Sequence, residues 1–244
     1  MLPLINSSLH SSIVQIAQRQ QIPVWDVLRL TSPESVVALA AYSPDILCVS
    51  CFSLLIPRAI LDLPRLGSLN VHPSLLPANR GPVPLFWTFR EGDETTGATI
   101  HLMDEKMDTG DILAQQVIPV PDGINHDQLE AQCASVGGTL LARAVWDLYE
   151  GRTIRVPQDE TESSYHSFPS ENDFVVDVAE WSARHVYNFI RGVGHWDNPI
   201  ILRVNDETFI CRDVISYSQE AIEKATENGE RIIHCKVGSV CIKR

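Results

Sequence analysis

Leu69-Asn70-Val71-His72-Pro73-Ser74-Leu75-Leu76-Pro77 is the stretch on which the reading of this chain turns. Successive side chains of a strand alternate between its two faces. Leu69 and Val71 therefore share one face, and Asn70 and His72 share the other. Pro73 has no N–H to give to a sheet ladder, so the strand ends there. An amide and an imidazole are left side by side at the carboxyl end of a strand, which is where open α/β sheets bind ligands. An isolated Asn-x-His also fits a strand end whose polar residues cap a loop. The flanking elements have to decide between the two.

Upstream, residues 10–20 carry Ile13, Val14, Ile16 and Ala17 at helical spacing. Residues 22–27 read as a short strand. Ser32 and Pro33 form a helix start, a cap followed by proline at the first helical position. Residues 45–52 are strongly apolar and read as a central parallel strand buried on both faces. Residues 57–63 read as a short helix. Alternation of helix and strand up to Val71 predicts a parallel sheet with covering helices. Downstream, residues 82–91 suit a helix packed on the sheet. Strands over 97–103 and 111–120, joined by the polar loop 104–110, are expected to pair antiparallel. Residues 126–148 predict a long helix with Asn125 as its cap and Gly151 just past its end. Trp87 and Trp146 fall on helix faces and are expected in the core.

Residues 156–172 are rich in Pro, Ser, Thr and Glu and have no hydrophobic period, so they read as a linker. Beyond them come a helix over 177–191 and short strands over 199–204, 208–215, 231–235 and 239–242. The expected organisation is a catalytic domain over 1–155, a linker over 156–172 and a small β-rich domain over 173–244.

The 244 residues suffice for one large domain, or a medium one with a small one. Apolar residues at 44% and charged ones at 20% describe a soluble globular chain. The net charge of −12 counts against a large RNA partner and against DNA, because nucleic-acid binders present a basic face. From Asp159 onward there are 9 basic and 15 acidic residues, a net of −6. No apolar run reaches membrane-spanning length, and no signal peptide opens the chain. The six cysteines lack disulfide-framework spacing and read as reduced thiols in a cytoplasmic protein. Cys48-x-x-Cys51 has no second ligand pair nearby and reads as two core cysteines, so no metal is expected.

Asp108, in Met107-Asp108-Thr109-Gly110-Asp111, is the third polar residue of interest. It reaches His72 if the strand at Gly97 lies beside the strand at Gly67. A carboxylate behind an imidazole orients it and makes it more basic. A neighbouring amide can donate to a developing oxyanion. Together these groups suit acyl transfer to an amine, with His72 handling protons, Asn70 holding the oxyanion and Asp108 supporting the imidazolium. Ser74 lacks a Gly-x-Ser-x-Gly elbow, which weakens a serine-hydrolase reading. It reads either as a turn cap or as a substrate-facing hydroxyl. His101 and Asp111, which flank the Asp108 loop, are read as structural.

Asn70-Val71-His72-Pro73-Ser74-Leu75-Leu76-Pro77 with Arg80-Gly81, and the later Met107-Asp108-Thr109-Gly110, resemble the signatures of the folate-dependent formyltransferases, the methionyl-tRNA branch being nearest. The resemblance covers roughly residues 13–151. It implies a Rossmann-like, mostly parallel α/β catalytic domain, with Asn70, His72 and Asp108 as the catalytic trio. It implies 10-formyltetrahydrofolate as formyl donor, held by Phe52, Ser53, Leu54, Leu55, Ile56 and Leu61, by Ser74, Leu75, Leu76 and Pro77, and by Asp104. The bottom-up reading agrees to this extent: a flat pterin needs exposed backbone groups between apolar walls. The resemblance places Ser74, Arg80 and Gly81 on the side of the acceptor amine, either a small molecule such as a sugar nucleotide or an aminoacyl-tRNA. The same trio would serve a formyltetrahydrofolate hydrolase. A non-catalytic folate-binding protein is the third reading. The C-terminal part resembles, less specifically, the small β domain appended to some members. Members of the family also open with an apolar strand, a Gly turn and a helix. This chain is expected to begin after that unit, leaving the first strand missing.

Overall fold

The computed structural model describes residues 13–27, 29–52, 54–205, 207–211, 213–221 and 230–243. The first described elements are helices α1 (Ile13–Arg19) and α2 (Pro33–Ala40). Ser32 caps α2 by accepting the Ser35 N–H. The expected strand over 22–27 does not form; only Asp26 makes an isolated bridge there. The expectations placed on residues 1–12, including the missing first strand, lie outside the described residues, as does Ser53.

Among the described residues, four strands make the first sheet: β1 (Leu47–Ser50), β2 (Ser68–His72), β3 (Thr95–Leu102) and β4 (Ile112–Pro119), adjacent in that order. The short helix α3 (Arg58–Leu61) and α4 (Pro84–Glu91) connect them. β1 and β2 run parallel, whereas β2–β3 and β3–β4 are antiparallel. Among the described residues this Rossmann-like α/β sheet is therefore mixed, with one parallel pair and two antiparallel ones. β1 is not a central strand among the described residues but an edge, and Val49 is its one buried residue. Cys48 and Cys51 are accordingly exposed rather than in the core. An apolar run says only that a strand forms, not how many neighbours cover it.

The long helix α5 (His126–Tyr149) backs this sheet. Asn125 and Gln128 close a capping box at its start. Its buried residues Leu129, Cys133, Gly137, Ala144 and Leu148 recur mostly four apart, a single stripe laid against the strands. Leu69 of β2 and Ile100 of β3 join Ala144 and Leu148 in one cluster. Trp146 lies on the opposite face, 62% exposed, and not in the core.

The C-terminal part holds β5 (Val175–Asp177), α6 (Ala183–Val193), β6 (Ile200–Val204), β7 (Glu207–Cys211), β8 (Asp213–Ser218), β9 (Glu230–His234) and β10 (Ser239–Lys243). Among the described residues they form two three-stranded sheets, β5-β6-β7 and β8-β10-β9. The helix expected over 177–191 starts later, because Ser182 caps it by accepting the His185 N–H and residues 175–177 are taken by β5. Its apolar residues Val186, Phe189, Ile190 and Val193 are buried.

Helix α6 docks on α4, and the two halves share one hydrophobic core. Phe86 packs against both Phe174 and Phe189, with ring centroids 5.2 and 5.9 Å apart. Gly192 sets the distance between the helices. A Cβ there would fall 2.3 Å from two ring atoms of Phe89. The ring is almost fully buried and cannot swing away. Gly192→Ala is expected to cost about 1–3 kcal/mol in overpacking, more than the ~1 kcal/mol gained from helix propensity. A urea titration that left the unfolding midpoint unchanged, or raised it, would show that the helices are not held at this distance.

Candidate active site

β2 brings the key side chains to one place. In its register with β3, Asn70 lies opposite His101 and His72 opposite Thr99. The 104–110 loop then turns back and sets Asp108 between the two histidines. Asp108 Oδ2 is 3.6 Å from His72 Nδ1, and Oδ1 is 3.5 Å from His101 Nε2. The Asp108 backbone is in the left-handed region, at φ 57°, which Asp tolerates better than most residues. Gly81 N–H donates to Oδ2 at 2.9 Å. His72, His101 and Asp108 are all buried.

Hydrogen-bond partners fix the tautomers. His72 Nε2 is 2.8 Å from the Asn79 carbonyl, which can only accept, so Nε2 carries a proton. In the neutral ring Nδ1 is then a free lone pair on the side of Asp108. His101 Nδ1 likewise donates to the Leu102 carbonyl at 2.8 Å, leaving Nε2 to accept from Asn70 Nδ2 at 3.2 Å. Asn70 Nδ2 also donates to Asp108 Oδ1 at 3.3 Å. Both amide hydrogens of Asn70 are thus held inside the cluster, and an incoming carbonyl oxygen would take one of them over.

Burial pushes the His72 imidazole below its usual pKa. The Asp108 carboxylate and the Asn79 carbonyl pull it back up, His101 adds to the depression, and the net direction is down. Burial pushes Asp108 up, but its polar and charged surroundings, the His72 ring and the Gly81 N–H among them, more than offset this. Its carboxyl is held below the usual carboxylate range. At neutral pH the pair is a neutral imidazole beside a carboxylate, which is the state of a general base ready to accept a proton.

Asn70, His72, Pro73 and Asp108 line a cavity of about 360 Å³. Ser50, Cys51 and Phe52 bound one side of it, and residues 81–86 another. The far wall comes from α5 (His126, Glu130, Cys133, Ala134) and from the turn after α6 (His195, Trp196). The His126 and His195 rings are 4.1 Å apart. The Trp196 indole N–H is buried and has no hydrogen-bond partner among the described residues. Among the described residues, no group of three or more His, Cys, Asp or Glu is placed to hold a metal ion.

The sequence-predicted residues divide. Asn70, His72, Asp108, Phe52 and Gly81 are on the cavity. Leu54 and Leu55 are exposed beside Phe52, and Leu61 is core. Leu76 is also buried, its N–H and carbonyl tied to Thr99 and Gln115. Ser74 is fully buried, and its hydroxyl donates to the Ala78 carbonyl at 2.7 Å, closing the turn. Leu75 and Pro77 belong to that same turn, off the cavity wall, and Ile56, between β1 and α3, is also off it. Asp104 accepts from Thr109 Oγ1 and Lys106 N–H within its own loop. Arg80 is buried, with its guanidinium turned to Gln158 and Glu160 rather than to the cavity. Sequence reasoning missed the Asn79 carbonyl, the part taken by His101 and the whole far wall. The alternation Thr99-x-His101 on a strand predicted to neighbour β2 was the one available signal for His101.

A mixed α/β sheet with an amide, an imidazole and a carboxylate grouped near one strand's carboxyl end is an arrangement suited to acid–base chemistry at an acyl carbon. A sequence profile described as Formyl transferase matches residues 7–145, more than half of the chain. The chain belongs to the formyl transferase family. It is 39% identical over 177 residues to the methionyl-tRNA formyltransferase of Syntrophus aciditrophicus (strain SB), covering 72% of this chain and 56% of that protein. It is 32% identical over 223 residues to the methionyl-tRNA formyltransferase of Clostridium perfringens (strain 13 / Type A), covering 90% and 69%. The chain spans little more than half the length of the first of these relatives. Its fold is similar to that of the N-formyltransferase of Helicobacter canadensis in complex with folinic acid and dTDP-3-aminofucose, with a TM-score of 0.69 at 18% identity over 98% of this chain and 84% of that one. HypX of Aquifex aeolicus in complex with tetrahydrofolic acid is also similar in fold, with a TM-score of 0.60 at 20% identity over 86% and 37%. Among the described residues no helix is long and apolar enough to cross a membrane.

Proposed function

We propose that this chain transfers a formyl group from 10-formyltetrahydrofolate to a primary amine, in the cytoplasm. The observation that carries the reading is the grouping of Asn70, His72 and Asp108 on one cavity, with His72 Nδ1 unprotonated and facing a carboxylate. The formyl-folate supplies an electrophilic carbonyl carbon. His72 Nδ1 takes the proton that the attacking amine loses, Asp108 stabilises the imidazolium so formed, and the imidazolium returns the proton to the folate nitrogen as the formyl–folate C–N bond breaks and tetrahydrofolate leaves. Asn70 donates an amide hydrogen to the oxygen that gains negative charge. Residues 1–155 then act as the catalytic part and residues 173–244 as a small β-rich part, with 156–172 joining them.

The residues present fit a folate. The cavity of about 360 Å³ lies in the range of small-molecule sites. Phe52 offers a ring face, Leu54 and Leu55 offer exposed apolar surface beside it, and Trp196 holds a buried donor with no partner among the described residues. The relatives named as methionyl-tRNA formyltransferases support an aminoacyl-tRNA acceptor, and the Helicobacter canadensis complex supports an amino-sugar nucleotide. The test is an acceptor screen with 10-formyltetrahydrofolate, reading tetrahydrofolate release with methionyl-tRNA and with amino-sugar nucleotides. Steady formate release with no acceptor would replace the transferase reading with the hydrolase. Folate binding with no turnover on any amine would leave a binding protein.

The charge of the chain from Asp159 onward bears on the choice of acceptor. This stretch carries a net of −6, an acidic balance that disfavours neutralising phosphates, which dominate affinity for nucleic acid. Binding of uncharged-amine tRNA is therefore expected to be no tighter than the non-specific level, on the order of 10⁻⁴–10⁻⁶ M at physiological salt. Submicromolar binding that weakens steeply with added salt would restore the tRNA acceptor.

A further inference from the structure

The segment 156–172 is laid over the loops that hold the site. Val156 pairs with Ile112, and Arg80 pairs with Tyr165. Ser164 and His166 exchange backbone hydrogen bonds with Pro77 and Arg80. The fit is close: Gly81 has φ +119°, and a Cβ there would fall 2.0 Å from the His166 carbonyl oxygen.

Gln158 is the residue of this strap that reaches the site's machinery. Its Nε2 donates to the carbonyls of Asp108 and Gly110, at 2.9 and 2.7 Å. Its Oε1 accepts from Nε and Nη2 of Arg80, at 3.1 and 2.8 Å. That orientation of the amide is forced, because carbonyls only accept and a guanidinium only donates. Arg80 is held from its other side by Glu160, with Nη2–Oε1 at 2.9 Å and Nη1–Oε2 at 3.0 Å. Such a two-pronged contact fixes the guanidinium plane. The residue after Arg80, Gly81, gives its N–H to Asp108 Oδ2. Gln158 therefore grips Asp108 twice, directly through the backbone carbonyl and indirectly through the Arg80-Gly81 turn.

We propose that Gln158 is a positioning residue: by clamping the Asp108–Gly110 backbone to Arg80 it fixes the Asp108 carboxylate between His72 and His101. The contacts it sets are 3.6 and 3.5 Å long, so a shift of a fraction of an ångström decides whether the carboxylate still acts on His72. The strained left-handed backbone at Asp108 persists only while its surroundings hold it. Gln158 itself is absent from the cavity wall and meets Asp108 through its backbone carbonyl, not its carboxylate. The proposal rests on the reading of Asn70, His72 and Asp108 as the reacting trio.

The test compares Gln158→Glu, Gln158→Ala and Glu160→Gln in the full chain. Gln158→Glu keeps the size and the Arg80 partner but sets a carboxylate against two carbonyls. Glu160→Gln weakens the hold on Arg80 from outside and leaves Gln158 in place. The first readout is the NMR titration of the His72 ring, identified by its loss in His72→Gln, and it needs no turnover. In Gln158→Glu the His72 pKa is expected to fall below that of the unaltered chain, because the carboxylate that raises it has moved. The second is kcat for formyl transfer, expected to fall on the order of 10²-fold, the loss that ångström-scale misplacement brings, with KM for the formyl donor little changed. Gln158→Ala is expected to show both effects and serves if the Glu variant does not fold. Glu160→Gln is expected to show neither. Unchanged His72 titration and kcat in the Gln158 variants would overturn the proposal. So would equal losses in Glu160→Gln that track the thermal midpoint. If the unaltered chain transfers no formyl group, the functional reading fails, and the His72 titration still judges Gln158.

Discussion

Replacing His72 with alanine is expected to lower formyl transfer about 10²–10⁴-fold, the contribution typical of a positioned general acid–base group, while folate binding stays close to that of the unaltered chain. The ring is buried at the end of β2, its Nε2–H is committed to the Asn79 carbonyl, and only Nδ1 is left to take a proton. Burial holds its pKa below the usual value of about 6.5. The base is therefore unprotonated at neutral pH, and kcat/KM should rise with pH through an acid limb that lies below about 6.5. Alanine removes both the base and this limb. Near-parent turnover in the purified, folded variant would sink the assignment of His72.

Asp108→Asn is expected to have the second largest effect, a loss on the order of 10²-fold or more in turnover with the fold intact. Asn tolerates the left-handed backbone at this position as Asp does, and its side-chain oxygen can still accept the Gly81 N–H. What disappears is the charge. The carboxylate raises the His72 pKa against burial, so its removal lets that pKa fall further. The acid limb of the pH–rate profile should then move to lower pH, not higher, and the remaining rate should be low because nothing stabilises the imidazolium. Asn70 also loses one of its two acceptors. If Asp108 only closed its loop, Asn would replace it with little effect, since both residues cap well. An unchanged rate and an unchanged limb would therefore make Asp108 loop structure alone. The two groups titrate as a coupled pair, so the profile reports on the pair and not on either residue by itself.

What the sequence by itself determined is local. The alternation Leu69-Asn70-Val71-His72 before Pro73 set which side chains share a face, because a strand's period is a backbone property. Ser32 and Asn125 announced helix starts, because the orphan N–H groups of a first turn need a nearby acceptor. The family signature then tied Asp108 to His72 across 36 positions, and the structure brings them to 3.6 Å. Tertiary structure alone decided the rest. The partner of His72 Nε2 is a backbone carbonyl, and carbonyls leave no mark in a sequence. Arg80 reads as a substrate-side charge, yet it is turned to residues 78 and 80 positions further on, where Gln158 and Glu160 satisfy a guanidinium that has lost its water. Cys48, Cys51 and Trp146 are exposed because burial depends on what else covers a face, which local apolarity does not record. The strap over 156–172 has the composition of a linker, but its hydrogen bonds go to the loops of the site. Composition counts which polar groups a segment carries; only the folded chain fixes which distant groups they meet.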